Sequence, residues 1–317
     1  MYKTLNTLDI SNIKNFNNIF KKVSDIKNIK PNREQVLIAI KKVDAYLASA
    51  SIQIDREFLS KAENLKVIGS PSTGVDHMDL NLIKKKKIKC FDISKEFKLI
   101  NSFTATSELA FGLILALNRK IVSSSLAAST GKWGREHYQG NQLYGKTLGI
   151  IGLGRLGKIS ARIGKGFGMR VIANDIKNIR FNKIELVSLK KLAKLSDIIS
   201  IHVHLNKETE NLINKKFFNQ MKKSAIIINT ARGKIINEED LLNALKKRTI
   251  AGAGLDVIDG EWLNDNKRSK HSLIKYSKKN TNLIITPHIG GSTKESIADS
   301  RIFMAKKIVS YLKSLKK

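Results

Sequence analysis

Thr147-Leu148-Gly149-Ile150-Ile151-Gly152-Leu153-Gly154-Arg155-Leu156-Gly157 decides the fold. A short apolar run ends at Ile151, three glycines follow in the spacing GxGxxG, and Lys158 to Phe167 then shows helical patterning. In a strand–turn–helix unit each glycine has its own task. Gly152 makes the tight turn, Gly154 lets the backbone approach a pyrophosphate, and Gly157 allows close packing of helix on strand. The N-terminus of the helix then faces the phosphate charge. Glycine-rich turns also arise by chance, without a ligand, so the context decides. Asp175 ends the next apolar run, 23 residues after Gly152, where a carboxylate accepts both hydroxyls of a ribose and repels a 2′-phosphate. The expected cofactor is therefore NAD (NADH) in preference to NADP, although Lys177 and Arg180 soften that repulsion.

Outward from this loop, six short β-rich runs follow one another at 147–151, 170–174, 198–202, 225–229, 252–256 and 283–286. Helical stretches separate most of them, as right-handed parallel crossovers require. Upstream, runs at 44–48, 66–70 and 88–92 alternate with polar helical stretches in the same way. The spacing predicts one six-turn helix from Ser102 to Ser123, with Thr104 or Thr106 as its cap, joining the two regions. A last helix, 294–315, is expected to return to the first region. The predicted class is α/β, with two Rossmann-like domains of doubly wound parallel sheet and a cleft between them. The boundaries fall at 1–101 plus 290–317 for a substrate-binding, flavodoxin-like domain and 102–289 for an NAD-binding domain.

Composition narrows the functional classes. The 317 residues carry 58 Lys and Arg against 27 Asp and Glu, a formal charge of +31. Lysine outnumbers arginine almost fourfold and is spread in pairs along the whole chain, with one run of four at Lys84 to Lys87. No helix-turn-helix, zinc or single-strand-binding pattern accompanies the charge, which argues for a solvated surface and against nucleic acid. A basic field nonetheless attracts small anions. The best apolar stretch, Leu109 to Leu117, falls well short of the roughly 20 residues of a membrane span. The N-terminus shows no apolar core of a secretion signal, so export is not expected, and Cys90 is the single cysteine. A cytoplasmic protein is expected, without a metal site.

Three further segments carry chemistry. The run ending in Asn229-Thr230-Ala231-Arg232-Gly233 delivers an arginine to the carboxyl end of the sheet, and a planar guanidinium suits a carboxylate with its neighbouring carbonyl. The next run ends in three acids, Asp256, Asp259 and Glu261. The last ends in Thr286-Pro287-His288-Ile289-Gly290-Gly291. Alone, each has an ordinary reading: a surface ion pair for Arg232, a solvated acid for Glu261, a loop histidine for His288. On successive strands of one sheet they converge on a single crevice.

With these segments the chain resembles the D-isomer-specific 2-hydroxy-acid dehydrogenase family over about residues 65–300. The resemblance rests on Leu65-Lys66-Val67-Ile68, Thr73-Gly74-Val75-Asp76-His77-Met78-Asp79-Leu80, Ser107-Glu108-Leu109-Ala110, the stretch from Gly145 to Gly157, Asn229 to Gly233 and His288 to Gly291. It implies that His288 is the general acid/base, Glu261 its carboxylate partner and Arg232 the substrate anchor. It also implies that Thr73, Gly74 and Val75 offer amides to the substrate carboxylate. Thr106, Asp256 and Gly291 would lie beside the nicotinamide, with Arg155, Leu156, His202, Thr230, Ala231 and His288 itself completing the cofactor site. The implied reaction is reversible hydride transfer between NAD(H) and a small anionic 2-hydroxy or 2-oxo acid, of the phosphoglycerate dehydrogenase or glyoxylate/hydroxypyruvate reductase type, in a homodimer. A corepressor that merely senses NAD is the alternative on the same fold.

Two departures stand out. Trp262 follows Glu261, where the family commonly has proline, and the segment 263–282 is long and rich in Lys and Asn. His204 replaces the proline of an HVPL-like stretch and reads as an exposed loop residue. Glu261 keeps the family spacing, 29 residues after Arg232 and five after Asp256, with Asp259 as the fallback. The loop Ser70 to Gly74 contains no arginine, which weakens a phosphate site and leaves glyoxylate or hydroxypyruvate open. Lys95 or Lys98 could still reach a phosphate. No appended regulatory domain is expected.

Overall fold

The computed structural model describes residues 1–263 and 265–316; Asn264, within the lysine-rich segment, and Lys317 lie outside the described residues. The chain divides into two compact units, Met1–Phe103 with Thr293–Lys317, and Thr104–Ser292.

The first unit holds β1 (Tyr2–Asn6), β2 (Ser24–Asn28), β3 (Ala45–Leu47), β4 (Val67–Gly69) and β5 (Lys89–Phe91). They form a parallel sheet of order β2-β1-β3-β4-β5. Its two faces are covered by separate apolar clusters, one around Tyr46, Phe58 and Ile68, the other around Phe20, Leu47 and Val67. The C-terminal helix Lys294–Ser314 belongs to the second cluster through Met304, Ile308 and Leu312. It sits so close to β4 that a Cβ on Gly69 would come within 2.7 Å of Met304 Sδ.

The second unit holds β6 (Thr147–Ile151), β7 (Arg170–Asn174), β8 (Glu185–Leu186), β9 (Ile198–Ile201), β10 (Ile226–Asn229), β11 (Gly252–Leu255) and β12 (Leu283–Ile285). All pair in parallel, in the order β12-β11-β10-β9-β6-β7-β8. The chain winds one way from β6 through β8 and the other way from β9 through β12, so the order reverses between β6 and β9. Ligands of such sheets bind at that switch point, outside the carboxyl ends of the strands. The central strands are buried along their length, as a sheet covered on both faces demands.

Two expectations need correction. The helix read as 102–123 is two helices, Ala105–Asn118 and Ile121–Ala128, broken where Lys120 adopts φ 51°. The Asn118 carbonyl accepts the Asn141 amide at 2.9 Å instead of continuing the helical ladder, and Thr104 occupies the N-cap position without a side-chain cap. The apolar stretch around Leu109 is also longer than read: Phe97–Asn118, 22 residues, is apolar enough to cross a membrane by length and composition alone. It is not one helix, because Asn101 to Thr104 interrupt it. Within the second unit, Phe111, Leu113 and Ile114 are buried with sheet residues such as Ile150 and Ile228.

Candidate active site

The loop after β6 behaves as its glycines require. Gly152 takes φ 93°, and a Cβ there would lie 2.8 Å from His202 O. A Cβ on Gly157 would meet Gly152 O at 2.0 Å, so the helix Arg155–Gly166 can pack on the turn only through glycine. Around Gly154 the corresponding space is empty to 4 Å, which leaves the backbone approachable at the helix N-terminus. Asp175 Oδ2 accepts the Leu153 amide at 2.7 Å and Oδ1 the Lys177 amide at 2.9 Å. The carboxylate thus shapes the loop and keeps lone pairs for hydroxyl donors. Ser107 Oγ donates to Leu156 O at 3.0 Å, tying the helix that begins beside Thr106 to the same loop.

His202 follows β9, its Nε2 2.9 Å from Ser200 Oγ. Desolvation pushes this imidazole down from 6.5 to about 4, so it is neutral near pH 7. His204 is exposed, in a turn closed by Thr209 Oγ1 on its carbonyl at 2.7 Å. After β10, Asn229 staples the next turn: its Oδ1 accepts the Ala231 amide at 3.0 Å and its Nδ2 donates to Arg232 O at 2.8 Å. Among the described residues the buried Thr230 Oγ1 has no hydrogen-bond partner. Gly233 lets this turn press against the next one, since a Cβ there would lie 2.3 Å from the Ile258 carbonyl carbon. Arg232 is thereby joined to the segment that carries Glu261.

Glu261 Oε1 accepts a hydrogen bond from His288 Nδ1 at 2.7 Å, both side chains largely buried. The carboxylate on His288 is thus that of Glu261, not that of the fallback Asp259; the Asp259 backbone amide donates to Glu238 Oε1 at 2.8 Å. With Nδ1 engaged by a carboxylate, the tautomer and ring orientation of His288 are set and Nε2 is left for proton exchange. Asp256, 1% exposed, builds the turn beneath. Its carboxylate accepts the Thr286 hydroxyl at 2.6 Å, the Ile289 amide at 2.9 Å and the Gly290 amide at 2.7 Å. Three donors compensate a charge that burial would otherwise make prohibitive. Gly290 lets the turn close, because a Cβ there would lie 2.9 Å from Asp256 Oδ2 and 3.2 Å from Thr106 Cγ2. Thr106, Asp256 and the Gly290–Gly291 pair therefore meet, and within the second unit the dyad and the dinucleotide loop occupy one end of one sheet.

Sequence reasoning missed a second imidazole–carboxylate pair. Glu238 Oε2 lies 2.9 Å from His271 Nε2, and Glu238 Oε1 takes the Asp259 amide. Burial raises the Glu238 carboxyl above its ordinary value, against the Asp259 amide and the His271 ring, which lower it. In sequence Glu238 looks like first-turn helix charge behind the Asn237 cap, and nothing local signals a partner 33 residues on. The turn Thr73 to Val75 lies in the first unit, after β4, partly buried. Among the described residues its three amides donate no hydrogen bond within the chain.

The residues fit a dinucleotide: an approachable helix N-terminus at Gly154, a carboxylate at the end of β7, and the unpartnered Thr230 hydroxyl at the end of β10.

Comparison with known proteins agrees. Residues 111–290 match the D-isomer specific 2-hydroxyacid dehydrogenase NAD binding domain. The chain is 36% identical over 301 residues to the glyoxylate reductase of Thermofilum pendens, covering 92% of this chain and 85% of that protein. It is 36% identical to the D-3-phosphoglycerate dehydrogenase of Methanocaldococcus jannaschii, of whose length it spans 52%. In structure it matches the D-lactate dehydrogenase of Aquifex aeolicus complexed with NAD and lactic acid, with a TM-score of 0.85, 28% identity, and coverage of 98% of this chain and 96% of that one. The chain belongs to the D-isomer specific 2-hydroxyacid dehydrogenase family.

Proposed function

We propose that this protein reduces a small 2-oxo acid, glyoxylate or hydroxypyruvate, to the 2-hydroxy acid with NADH. The observation that carries the reading is the 2.7 Å contact between His288 Nδ1 and Glu261 Oε1 at the carboxyl end of a dinucleotide-binding sheet. Held by the loop Gly152 to Gly157 and by Asp175, NADH would supply the hydride to the carbonyl carbon and so become NAD. As that carbon–hydrogen bond forms, the carbonyl π pair moves onto oxygen, and His288 Nε2 delivers the proton that makes it a hydroxyl. Glu261 holds the ring and balances the positive charge it carries before transfer. Arg232 opposes the negative charge that grows on the oxygen and grips the adjacent carboxylate. In the first unit, the amides of the turn Thr73–Gly74–Val75 donate no hydrogen bond among the described residues, which supports reading them as donors to a carboxylate. In oxidation every transfer runs in reverse. The corepressor alternative has no observation in its favour.

Similarity to a glyoxylate reductase over most of both chains supports the smaller substrates, and the loop after β4 offers hydroxyls and amides but no arginine for a phosphate. Asp175 supports NAD. A homodimer is part of the proposal: Ile121, Val122, Leu126 and Trp133 stand exposed on and just after the helix Ile121–Ala128, which buries none of its own residues. The test is consumption of NADH and of NADPH with glyoxylate, hydroxypyruvate, pyruvate and 3-phosphohydroxypyruvate. Glyoxylate or hydroxypyruvate with NADH should give the highest kcat/KM. A preference for the phosphorylated acid or for NADPH would overturn the assignment.

A further inference from the structure

Trp262 stands where the family commonly has proline, directly after the carboxylate of the dyad. Its indole lies beside the His288 imidazole, ring centroids 5.4 Å apart and planes inclined by 35°. A tryptophan serving the core would be covered by aliphatic side chains. Trp262 is instead 48% exposed and belongs to none of the four apolar clusters formed by the described residues. Its backbone is nonetheless held firmly. Arg268 Nη1 donates to the carbonyls on either side of it, Glu261 O at 2.7 Å and Leu263 O at 3.0 Å, while the Leu263 amide closes a turn on Gly260 O at 3.0 Å. The second guanidinium nitrogen pairs with Asp265. Proline would stiffen this corner through its ring; here an arginine clamps it, and the position is free to carry a large side chain.

The placement of that ring matters because the reaction geometry is narrow. Nδ1 of His288 is engaged by Glu261, so a substrate carbonyl must meet Nε2, at roughly 2.6–3.2 Å between heavy atoms. The groups attached to that carbonyl carbon then lie within a few ångströms of the imidazole edge. The indole centroid lies 5.4 Å from the centroid of the same ring. A substituent turned to that side meets a rigid aromatic plane.

We propose that Trp262 determines substrate size: its indole walls the space beside the proton-transferring imidazole and restricts the 2-oxo acid to a small substituent on the carbonyl carbon. The proposal rests on the assignment of His288 as the proton donor. Hydrogen in glyoxylate and hydroxymethyl in hydroxypyruvate fit beside the wall, whereas branched or aromatic substituents do not.

The test compares wild type, Trp262→Phe and Trp262→Ala on glyoxylate, hydroxypyruvate, 4-methyl-2-oxopentanoate and phenylpyruvate with NADH. Trp262→Ala should raise the ratio of kcat/KM for 4-methyl-2-oxopentanoate over glyoxylate by about tenfold or more, the discrimination that a hydrophobic contact of a few carbons supplies. Trp262→Phe should fall between, and Tm and the KM for NADH should not move. An active Trp262→Ala whose ratio stays within about twofold of wild type overturns the proposal alone, as does an equal loss on every acid, the mark of a merely structural residue. No turnover of any acid by wild type overturns the dehydrogenase assignment, and this proposal with it.

Discussion

Asp256 holds His288 in a conformation that the histidine would not choose. Its carbonyl oxygen accepts the His288 amide at 2.8 Å, its carboxylate takes the next two amides, and His288 sits at φ 56°, in the left-handed region. For a residue with a Cβ that conformation costs about 1–2 kcal/mol. The geometry is offset by buried hydrogen bonds from just before and just after the histidine.

Asp256→Asn should therefore damage both fold and turnover. The amide presents its NH2 to at least one donor that the carboxylate satisfied, and losing hydrogen bonds to a buried charge costs about 1.5–3 kcal/mol. Urea unfolding should show the loss as a lower midpoint at unchanged slope, and kcat should fall as His288 relaxes. A variant with wild-type midpoint and kcat would show that the turn holds itself.

The glycines of the first loop predict a contrast. Gly157→Ala places a methyl 2.0 Å from Gly152 O, so the helix must move; the variant should be destabilised and should lose NADH binding together. Gly154→Ala meets nothing within 4 Å and sits at φ −72°, so the apo protein should keep its Tm while NADH affinity falls. Calorimetric titration beside a melting curve separates the two cases. Equal behaviour of the two variants would contradict the distinct tasks assigned to them.

Acid should weaken the second unit through two groups of opposite type. Burial opposes ionisation of Asp197, but Lys222 Nζ at 2.8 Å and the Thr147 amide at 2.8 Å outweigh it and hold the carboxyl below its ordinary 3.8. A depressed carboxyl contributes stability above its unfolded value and loses it as pH falls through the folded one. For His202 the folded ring titrates near 4 against 6.5. The unfolded chain takes up that proton first, and stability drops as pH falls from about 6.5 towards 4. The urea midpoint should decline over that window and decline further below it. His202→Asn should flatten the first part and Asp197→Asn the second; parallel curves for wild type and both variants would refute the assignment.

Where local pattern and tertiary demand coincide, the strands were legible. β6 and β7 lie at the positions read from their apolar runs, because buried parallel strands need continuous apolar side chains. β1, β2 and β8 gave no such signal. β2 is Ser-Asp-Ile-Lys-Asn on the sheet edge and mostly exposed, and β8 is two residues long. The break after Asn118 was invisible because no glycine or proline marks it; a carbonyl captured by Asn141 makes it. At the site, Gly152 to Gly157 and Asp175 were readable from residue type and strand position, and the pairing of Glu261 with His288 only from the family resemblance. The clamp of Arg268 on the Trp262 corner and the Glu238–His271 pair depend on contacts inside a long irregular segment, which spacing does not encode.

The dyad carries the central claim, and single-turnover reduction of glyoxylate by the pre-formed NADH complex tests it most directly. Wild type should oxidise its bound NADH. His288→Gln should bind NADH equally well and oxidise it about 10²–10⁴-fold more slowly, the range contributed by a positioned acid or base, and Glu261→Gln should show a smaller loss in the same step. Oxidation of bound NADH by His288→Gln at the wild-type rate would contradict the account.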